Sequence, residues 1–400
     1  MKKNDMPKFG ILEGIKVLNF GSVVAAPFAC ALFSENGADV IHVENTSAPD
    51  MFRNFGKGYS MEHRNQRNLT LDMARPEGQD IFVKMIRDCD IFIESSKPGT
   101  WTKFGFDDEN LWKVKPDLVI VHVSGYGQEG DPEYVKKPAF DMVGQAFSGY
   151  LSLNGMPEPA PPLLVKPYTS DYFTGFTAAW SSLAALLRAR QTGQGESIDV
   201  AMFESAARVQ AGHSLEGFTD GVQPVRNGNA DAKAATDVVY RTKDSQWVII
   251  TVVIPSKAYI DLIGLGEDPD FNPAGFVARG EARAPKYEQA VRDFAASHTL
   301  DEVLRLLGSI KVGCSPVMTY EMMKNNSHYQ ARDTISKWYD PVTNAEVQGI
   351  GTVPKFKHKP GQIFRGSPTY GMDNEDILEE LGYSATEIQD LYAKKVIVKK

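Results

Sequence analysis

Ile15-Lys16-Val17-Leu18-Asn19-Phe20, then Gly21-Ser22-Val23-Val24-Ala25-Ala26-Pro27, and further on Gly37-Ala38-Asp39-Val40-Ile41-His42-Val43-Glu44, form the stretch that sets the fold class. The apolar run 15–20 reads as a buried strand. A turn of small residues leads into a short apolar helix to about residue 36, and Gly37 is well placed as its C-terminal stop. A second strand over 39–43 closes on the acid Glu44. Strand, helix, strand in this order is a βαβ unit, and an acid ending its second strand resembles a Rossmann beginning. The turn lacks G-x-G-x-x-G, so a dinucleotide site is poorly supported.

Alternation continues outward from this unit. A helix is expected over 76–87, a strand over 90–94, a helix over 107–114 and a strand over 118–123, closed by Ser124-Gly125-Tyr126-Gly127. Helices over 141–151 and 172–190, a strand over 197–201 and a helix from Met202 follow. Such alternation argues α/β architecture, a doubly wound Rossmann-like layer with a mostly parallel sheet. The pattern changes near Asp220. Runs 238–241 and 247–252 flank Lys243-Asp244-Ser245-Gln246 as a β-hairpin, with helices over 287–296 and 301–307. This predicts a smaller α+β domain over 221–325, and a large domain built from 1–220 and 326–400. Beyond Tyr329 the chain is rich in Pro, Gly and Lys, and it ends in an amphipathic helix-turn-helix over 374–394. No internal repeat is present.

Composition narrows the function classes. The 400 residues are 42% hydrophobic and 24% charged, an ordinary globular balance with room for two domains. A formal net charge of −8 gives no broad basic footprint for nucleic acid. The three cysteines, Cys30, Cys89 and Cys314, are far apart and read as reduced residues of a cytoplasmic protein. No apolar run of signal or membrane-spanning length follows the start. The seven histidines are dispersed without HExxH or paired spacing, so no metal site is expected from the motifs.

One carboxylate stands out. Asp171, in Lys166-Pro167-Tyr168-Thr169-Ser170-Asp171-Tyr172-Phe173-Thr174-Gly175, lies between a proline-rich loop and an apolar helix. An acid there is either a helix N-cap, stabilised by free N–H groups and the helix dipole, or a catalytic group. Its flanking residues are aromatic or small and include no basic partner, and Gly175 would let a ligand approach closely. The same N–H groups could also hold a developing anion.

Four segments resolve this by resemblance. They are Leu12-x-Gly14-Ile15-Lys16-Val17-Leu18 with Gly37-Ala38-Asp39-Val40-Ile41; Arg64-Asn65-Gln66-Arg67-Asn68-Leu69-Thr70-Leu71-Asp72; Asp90-Ile91-Phe92-Ile93-Glu94-Ser95-Ser96-Lys97-Pro98-Gly99; and Thr192-Gly193-Gln194-Gly195-Glu196-Ser197-Ile198-Asp199-Val200-Ala201-Met202. Together with Gly366-Ser367-Pro368-x-x-Gly371 and Ile377-Leu378-x-x-Leu381-Gly382-Tyr383, they resemble the class III CoA-transferases over nearly the whole chain. That family includes formyl-CoA transferase and carnitine CoA-transferase.

The resemblance implies that Asp171 is the catalytic nucleophile, passing through an aspartyl anhydride and an aspartyl-CoA thioester. It implies coenzyme A and acyl-CoA as substrates with no permanently bound cofactor, and an interlocked homodimer without nucleic-acid or membrane partners. Lys97 and Lys103 match basic CoA contacts and Leu71 an adenine contact, with Arg67 a further candidate. Val24 and Ala25, beside Gly21, border the matching pocket and could offer backbone N–H groups there. Phe140, Tyr168 and Met202 complete the expected substrate pocket. Two departures put single phosphate contacts in question. Ser95-Ser96-Lys97 stands where the family often has Asn-Phe-Arg, and Asn45 where formyl-CoA transferases carry Arg. A related α-methylacyl-CoA racemase needs His before Asp141; Phe140 stands there and cannot move a proton.

The expected acceptor is (R)-2-hydroxyisocaproate or a related 2-hydroxy acid of amino-acid fermentation. Carnitine is the alternative, because Met6-Pro7-Lys8-Phe9-Gly10 and Tyr168-Thr169-x-Asp171-Tyr172-Phe173 look like the carnitine enzyme. A nucleotide-dependent oxidoreductase is the reading from a different class. His122, His213, Glu204 and Glu216 read as structural or helix-face groups.

Overall fold

The computed structural model describes residues 1–231, 233–235 and 238–399. It divides into two compact units. The first, Met1–Leu151, Val165–Val222 and Gln330–Lys400, is built on a six-stranded sheet. Its strands are β1 (Lys16–Phe20), β2 (Asp39–Glu44), β3 (Arg67–Thr70), β4 (Ile91–Glu94), β5 (Val119–Ser124) and β6 (Glu196–Ala201). They run in the order β3-β2-β1-β4-β5-β6, and every pair is parallel. This is the doubly wound order, which reverses between β1 and β4.

The strands are continuous apolar runs because both faces are covered. Leu18, Val43, Leu69, Phe92 and Ile120 point into one core, shared with α3 (defined below) and the C-terminal Ile377, Leu378, Ile388 and Leu391. Val17, Val40, Ile91, Ile93, Val119 and Val121 point into the other. The helices that matter for the site are α1 (Ala25–Glu35), α2 (Lys57–Glu62), α3 (Pro76–Asp88), α4 (Asp141–Phe147) and α5 (Thr169–Thr192).

Three parts of this unit escape the sequence pattern. β3, Arg67-Asn68-Leu69-Thr70, has one apolar residue, yet all four residues are buried. Its outer edge is closed by side chains instead of another strand. Asp373 Oδ2 accepts from Asn68 N at 2.8 Å and Asn374 Oδ1 from Thr70 N at 2.9 Å, which protects an otherwise open edge. The Pro/Gly/Lys-rich tail contains an antiparallel pair, Ile335–Asp340 with Ala345–Ile350. The buried Asp340 carboxylate holds that pair to α2 through Ser60 Oγ at 2.7 Å. Finally, α5 starts at Thr169, three residues before the expected 172, which places Asp171 inside its first turn.

The second unit comprises Ser152–Leu164 and Gln223–Tyr329. Its antiparallel sheet is β7 (Val239–Arg241), β8 (Trp247–Thr251) and β9 (Gly313–Pro316), packed with the helices Ala284–Ser297 and Leu300–Ser309 over one core. The proline-rich segment 152–164, counted with the large domain from sequence, belongs here. Arg226 explains why: its guanidinium donates to the carbonyls of Met156 at 3.2 Å and Ala160 at 2.6 Å, and to Glu158. Among the described residues, no helix is long and apolar enough to cross a membrane.

Candidate active site

At the carboxyl ends of β1, β2 and β4, where the strand order reverses, a cleft of about 470 Å³ is lined by Phe20, Ser22, Asn45, Leu71, Ser96 and Trp101. Ligands of open parallel sheets bind at such a point. The β1–α1 loop forming its floor is held residue by residue. Gly21 N donates to Asn19 Oδ1 at 2.8 Å, Ser22 N to Ser95 Oγ at 3.0 Å, and Val23 N to both Asp50 oxygens at 3.1 Å. Val23 takes φ +70°, a conformation costly for a β-branched side chain, which the Asp50 contact holds in place. The Gly21 N–H is therefore occupied. The N–H groups of Val24 and Ala25, at the start of α1, have no acceptor among the described residues.

The cationic candidates separate. Lys97 and Lys103 are exposed on the segment after β4, and neither forms an ion pair with a described residue. Lys97 also borders a neighbouring cleft with Glu94, Asp107, Asp108, His122 and Asp199. In that cleft His122 Nδ1 meets Glu94 at 2.6 Å and Nε2 meets Asp108 at 3.0 Å. Burial alone would lower the His122 pKa, but the two carboxylates override it and hold it at about 9. His122 is thus an ion-paired structural residue.

Arg67 departs from the sequence expectation. It opens β3, at the amino end of the sheet and away from the cleft, and its side chain is 1% exposed. Nε and Nη2 grip Asp39 at 3.0 and 2.8 Å, and Nη1 meets Glu380 at 2.8 Å. A guanidinium already neutralised on both sides has nothing left for a phosphate.

Asp171 is 6% exposed in the first turn of α5. It is not the cap. That role falls to Asp141, the first residue of α4, whose Oδ1 accepts from Ser170 N at 2.7 Å, Ser170 Oγ at 2.9 Å and Asp171 N at 3.3 Å. Gln145 Nε2 holds the other Asp141 oxygen at 2.8 Å. No hydrogen bond from a described residue acts on the Asp171 carboxylate. Burial first, and then the neighbouring Asp141 charge, raise its pKa to about 7. The N-cap reading of Asp171 is thereby set aside, because the Ser170 and Asp171 N–H groups serve Asp141.

Gly175 is corrected in the same way. A Cβ there would lie 2.7 Å from Ala25 O and 2.7 Å from Phe28 Cδ1, so this glycine admits α1 against α5 and leaves no ligand room. That approach brings Ala25 one turn from Asp171. Of the other pocket candidates, Val24 and Tyr168 share a cluster with Phe52 and Tyr59. Met202 packs on Gly144 of α4, where the added Cβ would also meet Ser170 Oγ. Phe140, preceding Asp141, is 56% exposed. Sequence reasoning passed over Asp141, Asp50 and Trp101. For Asp141 a signal existed, an Asp opening an apolar helix, but nothing local ties it to the helix start 30 residues on.

Comparison with known proteins gives the family. The model of CoA-transferase family III matches residues 12–374. The chain is 42% identical over 402 residues to the bile acid CoA-transferase BaiK of Clostridium scindens, covering 98% of this chain and 91% of that protein. Among solved structures it resembles a CAIB/BAIF family protein from Brucella suis, with a TM-score of 0.79 at 24% identity over 94% of this chain and 100% of that one. It also resembles Rv3272 of M. tuberculosis, with a TM-score of 0.76 at 22% identity over 92% and 99%. The fold, the crevice and the family match across the chain converge: this protein belongs to CoA-transferase family III and is a class III CoA-transferase.

Proposed function

We propose that Asp171 is the nucleophile through which this enzyme passes CoA from an acyl-CoA to a carboxylic acid. The observation that carries the reading is a carboxylate 6% exposed, raised to a pKa of about 7 by burial and the Asp141 charge with no hydrogen bond contributing, on a helix whose Gly175, one turn further on, packs against Ala25 of α1. The carboxylate attacks the thioester carbonyl, releasing CoA thiolate and forming a mixed anhydride. The thiolate then attacks the Asp171 carbonyl, giving an aspartyl-CoA thioester and freeing the donor acid. The acceptor carboxylate attacks that thioester, forms a second anhydride and again releases thiolate. The thiolate closes the cycle at the acyl carbon and restores the Asp171 carboxylate. Each tetrahedral oxyanion needs donors, which the Val24 and Ala25 N–H groups supply.

In this reading CoA lies in the switch-point cleft, its adenine against Leu71 and its phosphates met by Lys97 and Lys103. Lys97→Ala is expected to weaken CoA binding by about 1.5–3 kcal/mol, the worth of a charge-assisted bond. Calorimetric titration with CoA checks this, and an unchanged dissociation constant removes Lys97 from the site. The active form is proposed to be an interlocked homodimer. Phe176, Trp180 and Leu187 stand 54%, 65% and 64% exposed along α5, an apolar face of the kind that marks an interface. A sedimentation mass of one chain would remove that proposal.

For the acceptor we favour a bile acid, because the 42%-identical relative is a bile acid CoA-transferase. A second reading, carnitine, rests on the likeness of Met6-Pro7-Lys8-Phe9-Gly10 and Tyr168-Thr169-x-Asp171-Tyr172-Phe173 to the carnitine enzyme, and (R)-2-hydroxyisocaproate is the 2-hydroxy acid to set beside it. One experiment decides: initial rates with a single acyl-CoA donor against a bile acid, both enantiomers of 2-hydroxyisocaproate, and carnitine. A bile acid turned over more slowly than the small acids would refute the favoured reading.

A further inference from the structure

Beneath the β1–α1 loop, two imidazole nitrogens and a carboxylate face one another; the Val23 and Phe52 N–H groups donate to the carboxylate, and no donor among the described residues answers the two nitrogens. His42 on β2, Asp50 and His63 after α2 are 1%, 6% and 0% exposed. One ligand atom from each lies within 4.8 Å of the other two. Backbone carbonyls fix both imidazole tautomers. His42 Nε2 is 3.2 Å from Gly21 O, and His63 Nδ1 is 3.2 Å from Tyr59 O, so in each neutral ring that nitrogen carries the proton. The remaining nitrogens, His42 Nδ1 and His63 Nε2, are then bare lone pairs. Both are buried without a hydrogen-bond partner among the described residues. His63 Nε2 stands 3.7 Å from Asp50 Oδ2, an acceptor opposite an acceptor. Stacking on Tyr59, with ring centroids 3.9 Å apart, fixes the His63 plane.

Buried polar groups left unanswered are costly, and a cation answers both ring nitrogens at once with the Asp50 carboxylate as its third ligand. We propose that His42 Nδ1, His63 Nε2 and the Asp50 carboxylate bind a divalent transition ion of the Zn²⁺ class. Two neutral imidazoles and one carboxylate suit such an ion, whereas Mg²⁺ and Ca²⁺ favour oxygen-only sets. Each imidazole also donates its other N–H to a carbonyl, the outer-shell arrangement usual around ligating histidines. Burial lowers the pKa of both rings, which keeps them in the neutral, ligating form. Metal–ligand bonds of about 2.0–2.1 Å place tetrahedral ligands about 3.3 Å apart, so separations of at most 4.8 Å shorten by at most about 1.5 Å. A water would complete the set in the fourth position, on the side where His42 and Asp50 border the cleft. Glu44, 3.8 Å from His42 Nδ1, is already held by Arg53 and Asn68 and stays outside.

The ion's role is to position. Asp50 also holds the strained Val23 N–H, and Val23, Tyr168 and Tyr172 pack on the Val24, Phe52 and Tyr59 cluster. Ligation therefore braces both the β1–α1 loop and the start of α5.

The test uses the full chain, stripped with a chelator and titrated with Co²⁺ and then Zn²⁺. One Co²⁺ per chain, with the visible bands of a four-coordinate N/O site, displacement by Zn²⁺ and a higher melting temperature, is the expected result. His42→Ala and His63→Gln should each weaken Co²⁺ binding by about 10- to 100-fold or more, while His213→Ala, at an exposed histidine, leaves it unchanged. Wild-type protein that takes up no stoichiometric Co²⁺ overturns the site whether or not the variants fold. So does Co²⁺ binding that survives loss of both His42 and His63. In either case a buried water, donating to both rings, occupies the place.

Discussion

Asp171→Asn lowers kcat by about 10⁴-fold or more, the scale on which removal of a covalent nucleophile is felt, while CoA still binds. The amide keeps the shape of the carboxylate but cannot form an anhydride, so hydroxylamine trapping of an enzyme-bound thioester should succeed with wild type and fail with the variant. Turnover within tenfold of wild type, in protein whose substitution is verified by mass, would refute Asp171 as nucleophile. Loss of folding cannot imitate the result, because stability is expected to move the other way. The Asp171 pKa is near 3.8 unfolded and about 7 folded. Below pH 3.8 the group is neutral in both states and costs nothing. Between there and pH 7 the unfolded chain ionises while the folded one does not, so the penalty grows, and above pH 7 it is complete. Removing it stabilises the variant above pH 7 by about 2 kcal/mol, after allowance for burying an unpaired amide. Thermal melts at pH 5 and pH 8 check this. The same value sets the pH profile of the wild type. Its kcat/KM falls with acid below about pH 7, because the nucleophile must be ionised.

Asp141 controls that limb. In Asp141→Ala, Ser170 Oγ keeps its bond to the Asp141 carbonyl and Gln145 keeps the Val165 carbonyl. The buried Ser170 and Asp171 N–H groups lose their acceptor. Two orphaned donors at a helix start cost about 2–3 kcal/mol, read as a lower denaturant midpoint. The loss is greatest below pH 7, since above it relief of the repulsion on Asp171 offsets part of the cost. Asp141→Asn retains one acceptor oxygen for Ser170, but turns an NH₂ group toward the Gln145 Nε2 that now donates there. It is destabilised less, and it separates charge from capping. In both variants the acid limb of kcat/KM moves to lower pH, because the second cause of the raised Asp171 pKa is gone. An unmoved limb would mean that the Asp141 charge does not act on Asp171.

By itself the sequence determined the parts of this protein that repeat with the backbone or sit in contiguous motifs. The βαβ opening, the doubly wound alternation, the hairpin of the smaller unit and the C-terminal helix pair all follow from apolar periods of two or about 3.6 residues, broken at glycines and polar turns. The family followed from motifs whose order survives along nearly the whole chain, and with it the reaction class. Tertiary structure alone decided what each charge faces. β3 carries no apolar period, because its polar residues are buried by partners some 300 positions away. Arg67 looks from sequence like a free cation, and the fold spends it on Asp39 and Glu380. Gly175 serves the crossing of α1 and α5, and His42, Asp50 and His63 share no motif until α2 and the loop after β2 bring them together. Asp171 was placed at a helix start by local pattern; that another acid caps the helix, leaving Asp171 buried and unpaired, depends on a contact with a separate helix. Periodicity reports how much of a side chain leaves water, but not which partner meets it there. Desolvation and Coulomb energy depend on that partner, and only the folded chain supplies it.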